Sequence, residues 1–305
     1  MKVIQVHAYG HSDLMQVEDT PRPSPKAGEV LVKIRAAGVN PIDWKIREGY
    51  LKDLAPKSFP LTLGQDFSGE IIDVGGGITG FKAGDAVFGF AKGSYAEYAV
   101  VPVTMIAKNP STIDFATAAA LPTPALTALQ IVMKVIQVSK GQSVLIQGAA
   151  GSVGAIATQL ILSRGGRVIA TATKEDISYL KELGVDQVID FKTDRFEEKV
   201  KDVDAVIDLV GGEVLSRSLK VIKNGGMLAT TVGPLNEPES AKRGVREVQF
   251  KMSPNAEDLT EIANLFDRGA LKIRLSQVLP LTQAKEALDL NQSGRAHGKV
   301  ILKVV

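Results

Sequence analysis

Apolar residues follow two patterns that divide the chain into a β-rich part and a part in which strands and helices alternate. In the first 112 residues the apolar runs are short, and clusters of glycine and proline separate them, as is typical of strands joined by turns. The strands predicted in this part cover residues 29–38, 69–77, 85–90 and 95–101.

Beyond residue 112 the apolar positions first take helical spacing. Helices are predicted at 116–121 and 127–136, with Pro122 and Pro124 separating them. Strands are then predicted at 143–147, 167–173, 187–190, 204–210, 227–232 and 245–250, and helices fall between most of them. This alternation favours a parallel, doubly wound sheet in an α/β fold class.

The last part of the chain carries two predicted helices, at 258–267 and 283–291, and a closing strand at 299–304. The closing strand has no place in the parallel sheet, so we expect it to rejoin the β-rich part. The 305 residues suffice for two domains. We predict one domain from residues 1–112 with 254–305, and a second from residues 113–253.

The turn after the strand at 143–147 is the most informative local motif. Its glycines, spaced G-x-x-G-x-x-G, open a helix with an apolar stripe, and a second strand follows the helix at once. Small residues let the backbone approach a diphosphate, and a helix N-terminus offers unpaired N–H groups and a partial positive charge. We interpret the motif as a dinucleotide site rather than a structural turn, with contacts from Gly148, Ala150, Gly151, Ser152, Val153 and Gly154.

Charge and composition limit the classes of partner. The 36 basic and 34 acidic side chains are interleaved and give a formal net charge of +2, so neither nucleic acid nor an anionic membrane is an expected partner. We find no cleavable signal pattern and no apolar run long enough to span a bilayer. The sequence therefore favours a cytoplasmic enzyme that acts on a small molecule.

The chain contains no cysteine. Disulfides, a thiolate nucleophile and cysteine-ligated zinc are therefore excluded. The three histidines, His7, His11 and His297, lie far apart in the sequence. Metal catalysis is not expected.

Several motifs occur in an order that resembles a known superfamily. They are AAGVNPIDWKIREG (36–49), LGQDFSG (63–69), FKAGDAVFG (81–89), LPTPALTAL (121–129), the glycine turn and the tail HGKVIL. The chain resembles the zinc-free quinone oxidoreductase-like branch of the medium-chain dehydrogenase/reductase superfamily over essentially its whole length. The resemblance implies a GroES-like catalytic domain built from both chain ends, a Rossmann domain between them, and a cleft where the two meet.

Zinc-dependent relatives place a cysteine where this chain has Asn40, and a His-Glu pair where it has Gln65 and Asp66. The resemblance thus implies hydride chemistry without a Lewis acid. Deprotonating an alcohol near neutral pH usually needs a metal or a tuned base, so reduction of a quinone or an α,β-unsaturated carbonyl by NADPH is favoured. The competing hypothesis is a non-catalytic member of the fold that acts as an NADPH-binding sensor, an RNA-binding protein or a crystallin-like protein.

The resemblance directs attention to four candidate catalytic residues: Asn40, Lys45, Tyr50 and Asp66. Asn40 could hold the nicotinamide amide, a ribose hydroxyl or a substrate carbonyl, or be an ordinary turn residue before proline. Lys45 could bridge a ribose hydroxyl or polarise the substrate carbonyl, or be solvated. Tyr50 is either a pocket wall and proton donor or an exposed loop residue, and Asp66 is expected to organise hydrogen bonds at the cleft floor.

Further cofactor contacts are predicted outside the glycine turn. Thr127 resembles a threonine that contacts the nicotinamide in the family, although it also suits a helix N-cap. Valines and glycines follow two strands at the carboxyl edge of the sheet, where doubly wound folds bind ligands. With Asn40 and Lys45, the predicted contacts include Val210, Gly211, Val232, Gly233, Phe250 and Met252, the last two being otherwise core residues.

The end of the second Rossmann strand indicates NADPH rather than NADH. NAD-selective sites carry an acid there that binds the ribose hydroxyls, whereas this chain has Thr171, Thr173 and Lys174, which can bind a 2′-phosphate. Phe191 is expected to pack on the adenine. Glu175 and Asp176 weaken the preference if either carboxylate turns inward.

The strand at 245–250 is a candidate sheet edge, with apolar residues at Val245, Val248 and Phe250. An unprotected edge is usually paired or covered. We therefore expect a homodimer.

Overall fold

The four strands predicted in the first part of the chain form close to the predicted residues in the computed structural model, which describes residues 1–233 and 238–304. The first part of the chain contains eight strands and two short α-helices among these residues, so four of its strands were not predicted. They are β1 (Lys2–Val6), β2 (Gln16–Asp19), β3 (Glu29–Gly38), α1 (Pro41–Arg47), β4 (Leu61–Thr62), β5 (Asp66–Val74), β6 (Ala86–Phe90), β7 (Tyr98–Pro102), β8 (Ile106–Lys108) and α2 (Phe115–Ala119).

The central part alternates helices and strands as predicted. Its elements are α3 (Pro122–Gln130), a π-helical turn (Ile131–Ile136), β9 (Ser143–Gln147), α4 (Ser152–Ser163), β10 (Arg167–Ala172), α5 (Ile177–Glu182), β11 (Gln187–Asp190), α6 (Phe196–Lys199), β12 (Val203–Asp208), α7 (Glu213–Ser218), β13 (Ile222–Thr230), α8 (Pro238–Lys242) and β14 (Arg246–Gln249). The last part adds α9 (Ala256–Asp267), β15 (Leu275–Pro280), α10 (Ala284–Gln292) and β16 (Lys299–Lys303).

Helix α3 begins earlier than the sequence predicted. It begins at Pro122 and includes Pro124, because a proline in the first helical turn loses no hydrogen bond: the N–H there has no intrahelical partner. The two prolines therefore start the helix instead of separating two helices. Thr127 lies inside α3 and is buried, so its interpretation as an N-cap is wrong.

Six parallel strands form the central sheet, in the order β11-β10-β9-β12-β13-β14. This is the doubly wound Rossmann order, which reverses between β9 and β12. The apolar residues of β9, Val144, Leu145 and Ile146, are fully buried at the centre of the sheet. Strand β14 lies at the edge, as its sequence predicts.

The closing strand joins the β-rich part, which confirms the prediction for it. Strand β16 runs antiparallel to β3, with Ile301 opposite Gly38, in a sheet of order β15-β16-β3-β5-β6-β8 that β7 joins through β3. Strand β15 was not predicted, because its side chains are half-buried or exposed and show no apolar run. Strands β2, β1 and β4 form a separate small sheet.

The chain divides into two compact units. Unit 1 is Met1–Thr123 with Pro254–Val305, and unit 2 is Pro124–Ser253. The first boundary lies eleven residues beyond the one expected from the sequence. The intervening residues belong to unit 1 because Ala119 and Ala120, at the end of α2, pack with Ala36 and Ile301.

The two ends of unit 2 are tied together by one side chain. Gln130 Nε2 donates to Ser253 O at 2.8 Å, and Ser253 N donates to Gln130 Oε1 at 3.0 Å. The helix that begins unit 2 is therefore held to the residue that ends it. In the part of the chain that the structure describes, no helix is long and apolar enough to cross a membrane.

Candidate active site

Asn40 lies between β3 and α1, where the chain turns into the helix. Its backbone N–H donates to Asp43 Oδ2 at 2.8 Å, and Pro41, at the first helical position, needs no acceptor. Tyr95 donates its hydroxyl to the same Asp43 oxygen at 2.8 Å. All three side chains are buried, and burial raises the pKa of Asp43 to about 7.

Asp66, the first residue of β5, holds the start of α3. Thr123 Oγ1 donates to Asp66 Oδ1 at 2.6 Å, and Thr123 N donates to Oδ2 at 3.1 Å. The Asp66 side chain is fully buried. It satisfies one of the orphan N–H groups of the first helical turn.

Lys299 completes this group. It is the first residue of β16 and only 3% exposed, and its Nζ donates to Asn40 Oδ1 and lies 3.5 Å from Asp66 Oδ2. Desolvation is the largest influence on Lys299 and lowers its pKa. Asn40, Asp66, Thr123 and Lys299 are called the Lys299 cluster below.

Sequence reasoning missed Lys299, although the residue stands in the tail motif HGKVIL. A lysine at the start of an otherwise apolar closing strand was the available signal. Its partners are more than 230 residues away, so no local pattern connects them.

Three buried polar atoms at the start of α1, and one in the residue before Tyr95, have no hydrogen-bond partner among the described residues: Asn40 Nδ2, Asp43 Oδ1, Trp44 Nε1 and Ser94 Oγ. A buried donor or acceptor without a partner is rare in folded proteins. Within residues 1–233 and 238–304, no group of three or more His, Asp or Glu side chains is placed to hold a metal ion.

Lys45 and Tyr50 both lie against the Trp44 ring. Because Asp43 and Lys45 are both in α1, two residues apart, they face different directions. Lys45 Nζ lies 5.5 Å from the centroid of the Trp44 ring, and the Trp44 and Tyr50 rings meet edge to face at 5.6 Å. Tyr50 is exposed. The structure thus groups these two candidates around Trp44, a residue that the sequence analysis did not single out.

The glycine turn of unit 2 has the shape that a diphosphate needs. A Cβ on Gly154 would lie 2.6 Å from Gly148 O, so only glycine lets α4 pack this closely on the turn. A Cβ on Gly151 would meet only Gly148 O, at 3.4 Å, which leaves open space before the first turn of α4. The first N–H groups of a helix lack intrahelical acceptors. The residues present therefore fit a dinucleotide.

Thr171 does not have the role expected from the sequence. It is buried, its hydroxyl donates to Gln147 Oε1 at 2.7 Å, and it accepts from Gly148 N at 3.2 Å. A hydroxyl has one proton to donate, so Thr171 shapes the glycine turn and is not available as a donor to a phosphate. Gln147, also missed, in turn donates to Ser218 Oγ at 3.1 Å.

The segment after β10 keeps one exposed cation. Thr173 is half-buried, and its hydroxyl donates to Asp176 Oδ2 at 3.4 Å, whereas Lys174 is exposed. Asp176 is buried and bonds back to its own turn, and Glu175 is exposed. Of the predicted phosphate ligands, Lys174 is the one whose charge faces solvent.

Asp208 holds the turns at the carboxyl ends of β12 and β13. Its carboxylate accepts from Val210 N at 3.2 Å, from Gly211 N at 3.1 Å and from the Thr230 hydroxyl at 2.9 Å. Thr230 Oγ1 accepts from Val232 N at 3.2 Å. An acid ending an apolar strand was the signal for Asp208 in the sequence, and it was missed.

These turns leave apolar side chains exposed at the carboxyl edge of the sheet. Phe191, Val210 and Val232 are 56%, 53% and 39% exposed. Phe250 and Met252 are half-buried beyond the end of β14. Exposed apolar residues beside a helix N-terminus suit a ligand that joins flat rings to a diphosphate.

Comparison with known proteins agrees with this architecture. The family model described as the alcohol dehydrogenase GroES-like domain matches residues 26–111, and the one described as zinc-binding dehydrogenase matches residues 183–302. The chain is 32% identical over 327 aligned residues to the chloroplast envelope quinone oxidoreductase homolog of Arabidopsis thaliana, covering 99% of this chain and 98% of that protein.

Two further proteins extend the comparison. The 2-methylene-furan-3-one reductase of Solanum lycopersicum is 33% identical over 318 aligned residues, covering 99% of this chain and 79% of that protein. The crystal structure of Escherichia coli quinone oxidoreductase complexed with NADPH superposes with a TM-score of 0.92 at 27% identity, covering 99% of this chain and 100% of that one.

The fold, the Lys299 cluster and the glycine turn are those of an oxidoreductase with a GroES-like domain and a Rossmann domain. The chain belongs to the medium-chain dehydrogenase/reductase superfamily, in its quinone oxidoreductase-like branch. The resemblance and the fold class inferred from the sequence are confirmed.

Proposed function

We propose that the protein reduces a quinone or an α,β-unsaturated carbonyl, with NADPH as hydride donor and without a metal ion. The observation that carries the proposal is the Lys299 ammonium, bonded to Asn40 and close to Asp66. The resemblance places zinc ligands of the zinc-dependent relatives where this chain has Asn40, Gln65 and Asp66. A divalent cation brought there would meet a buried positive charge and an amide oxygen that is already bonded.

Unit 2 carries the residues proposed to hold the cofactor. The turn from Gly148 to Gly154 receives the diphosphate, and Val210 and Val232 offer apolar surface to the rings of the cofactor. Lys174 supplies a positive charge for a 2′-phosphate. When bound, the dihydronicotinamide supplies the hydride. The Escherichia coli relative, whose structure was determined with NADPH, supports this choice of cofactor.

Unit 1 supplies the groups proposed for the acceptor, namely the Lys299 cluster, Lys45 and Tyr50. The relatives are named for a quinone and for a methylene-furanone, which share a carbonyl conjugated to a carbon–carbon double bond. Such an acceptor develops negative charge on its oxygen during reduction, and fixed N–H donors stabilise that charge. The final proton comes from water or a weak acid.

Turnover tests the proposal directly. NADPH oxidation is followed with 1,4-benzoquinone and a panel of enones, while NADPH binding is measured in parallel by fluorescence. We expect turnover above the uncatalysed rate with at least one acceptor. Tight NADPH binding without turnover of any acceptor would favour the non-catalytic sensor instead.

A further inference from the structure

We propose that Lys299 is a positioning residue that fixes the Asn40 carboxamide so that its Nδ2 donates a hydrogen bond to the carbonyl oxygen of the acceptor. The nature of the acceptor rests on the proposed function. The orientation of the amide rests on the geometry of the Lys299 cluster alone.

The chemistry of an ammonium settles which way the Asn40 amide faces. A lysine ammonium has three donors and no acceptor, so the Asn40 atom that contacts Lys299 Nζ must be the carbonyl oxygen Oδ1. The N–H₂ group then points away from Lys299. The orientation of an asparagine amide is otherwise ambiguous, and here the lysine removes the ambiguity.

Lys299 is itself held firmly. Its backbone N–H donates to Arg274 O at 2.9 Å, and β16 is paired with β3 immediately beyond it. Its ammonium faces Asp66, which is fixed in turn by two hydrogen bonds from Thr123. A buried lysine with a buried counter-charge has little freedom, so the amide that it binds has a single orientation.

The Nδ2 side of the amide is buried and has no partner within the protein as described. Asn40 is 2% exposed, and its Nδ2 makes no hydrogen bond to any described residue. Leaving a buried donor unpaired destabilises a folded protein, because the group loses its hydrogen bonds to water and gains none in return. The protein keeps this donor fixed and unpaired, which indicates that a bound molecule supplies the acceptor.

The reduction of a conjugated carbonyl needs such a donor. The hydride from the cofactor adds to the alkene carbon remote from the carbonyl, the carbon–carbon π pair forms a double bond to the carbonyl carbon, and the carbonyl π pair moves onto the oxygen. Water then supplies the proton that completes the reduction, leaving hydroxide. A donor whose orientation is fixed beforehand stabilises the developing oxyanion without reorganising. The Asn40 amide, backed by Lys299, meets this requirement.

Kinetics on five variants test the coupling between the two residues. We expect Asn40→Ala and Lys299→Met each to lower kcat with 1,4-benzoquinone about 100-fold or more, in the range for loss of one oxyanion donor. The kcat of the double variant should be within about twofold of the kcat of either single variant, because both changes remove the same donor. Lys299→Arg should restore kcat to within about threefold, and Lys303→Met, exposed at the end of the same strand, should change nothing.

Lys299→Met leaves the Asp66 carboxylate buried without its cation, which can prevent folding. In that event Lys299→Met/Asp66→Asn, which removes both charges, replaces it and should show the same loss of kcat with an unchanged KM for NADPH. Multiplicative effects in the double variant, or kcat within about twofold of wild type without the ammonium, would overturn the proposal.

A measurement without turnover separates this proposal from the proposed function. The Asn40 side-chain amide is followed by nitrogen-15 NMR and assigned by its loss in Asn40→Asp. We expect its resonance to shift in Lys299→Met, or in Lys299→Met/Asp66→Asn if the single variant does not fold. The resonance should stay in place in Lys299→Arg. In wild type it should move when 2-cyclohexen-1-one is added with NADP⁺. If the resonance is unchanged in the variant without the ammonium, the orienting role of Lys299 is refuted, even if the enzyme turns over an acceptor. If no acceptor is turned over, the proposed function is refuted, even if the resonance shifts.

Discussion

Tyr95 donates its hydroxyl to a carboxylate oxygen of Asp43 at 2.8 Å, and both side chains are buried. Desolvation outweighs the hydrogen bonds from Asn40 and Tyr95 and raises the pKa of Asp43 from 3.8 to about 7. Burial likewise raises the pKa of Tyr95. The folded protein therefore holds a proton on Asp43 at mildly acidic pH, whereas the unfolded chain has lost it.

This difference makes stability depend on pH. Between the unfolded and folded pKa values the folded state binds more protons, so the contribution of Asp43 to the free energy of unfolding falls as pH rises. The contribution is fully present below about pH 4 and is lost as pH rises through about 7. We expect Asp43→Asn, which cannot titrate, to lack this component.

Urea unfolding of wild type and Asp43→Asn at several values between about pH 5 and about pH 8 measures the effect. The stability of wild type relative to the variant should decrease by about 1–3 kcal/mol across this range. Parallel pH dependences for the two proteins would show that Asp43 does not titrate there.

Lys45 is expected to contribute to catalysis. Lys45→Ala should lower kcat/KM for NADPH-driven reduction about tenfold or more, which corresponds to about 1.4 kcal/mol of transition-state stabilisation. Lys52→Ala, an exposed lysine nearby in the chain, is the matched control. If Lys45→Ala behaves like the control toward both cofactor and acceptor, Lys45 is an ordinary surface residue.

NADPH should be preferred to NADH because Lys174 offers a positive charge at the tip of β10. The ratio of kcat/KM for the two cofactors should exceed one, and Lys174→Ala should lower it while sparing NADH. Lys181→Ala, exposed on α5, controls for a general change of surface charge. A wild-type ratio below one would overturn the assignment to NADPH.

Activity is expected to be independent of metal. Dialysis against a strong chelator should leave both the rate and the Tm unchanged, because Lys299 Nζ occupies the space between Asn40 and Asp66. Zinc that copurifies in stoichiometric amount and resists dialysis would contradict this expectation.

A homodimer is expected to form through the open edge of β14. Phe250 N donates inward to Thr230 O, so in the alternation of a strand the N–H of Gln249 faces the open edge. Light scattering at micromolar concentration should give about twice the 32.5 kDa chain mass. Gln249→Pro removes the outward donor, which edge strands tolerate, and should shift the protein toward monomer. A wild-type mass near 32.5 kDa would refute the dimer.

The sequence predicted the elements whose signal is local. Strands β3, β9 and β11 form at the predicted residues because their apolar runs end at clear turn signals. The start of α3 was misjudged because proline breaks a helix only beyond its first turn. The return of β16 to the β-rich part followed from elimination, since the parallel sheet offered it no place.

The polar contacts of the site were much less predictable. The partner of Asn40, Lys299, is 259 positions away, and the hydroxyl of Thr171 is directed to Gln147 by the packing of β10 against β9. Periodicity tells which face of an element is buried. It does not tell which buried polar groups meet, because that depends on strand order and register.

The hydrogen bonds between Gln130 and Ser253 have a consequence for how the two units share one chain. Unit 1 is interrupted by the 130 residues from Pro124 to Ser253, and closing a flexible loop of that length costs about 4 kcal/mol of chain entropy. Once unit 2 has folded with its first helix bonded to its last residue, its ends are already together. The two segments of unit 1 then meet as if a short connection joined them, so the order of folding that costs least places the inserted unit first.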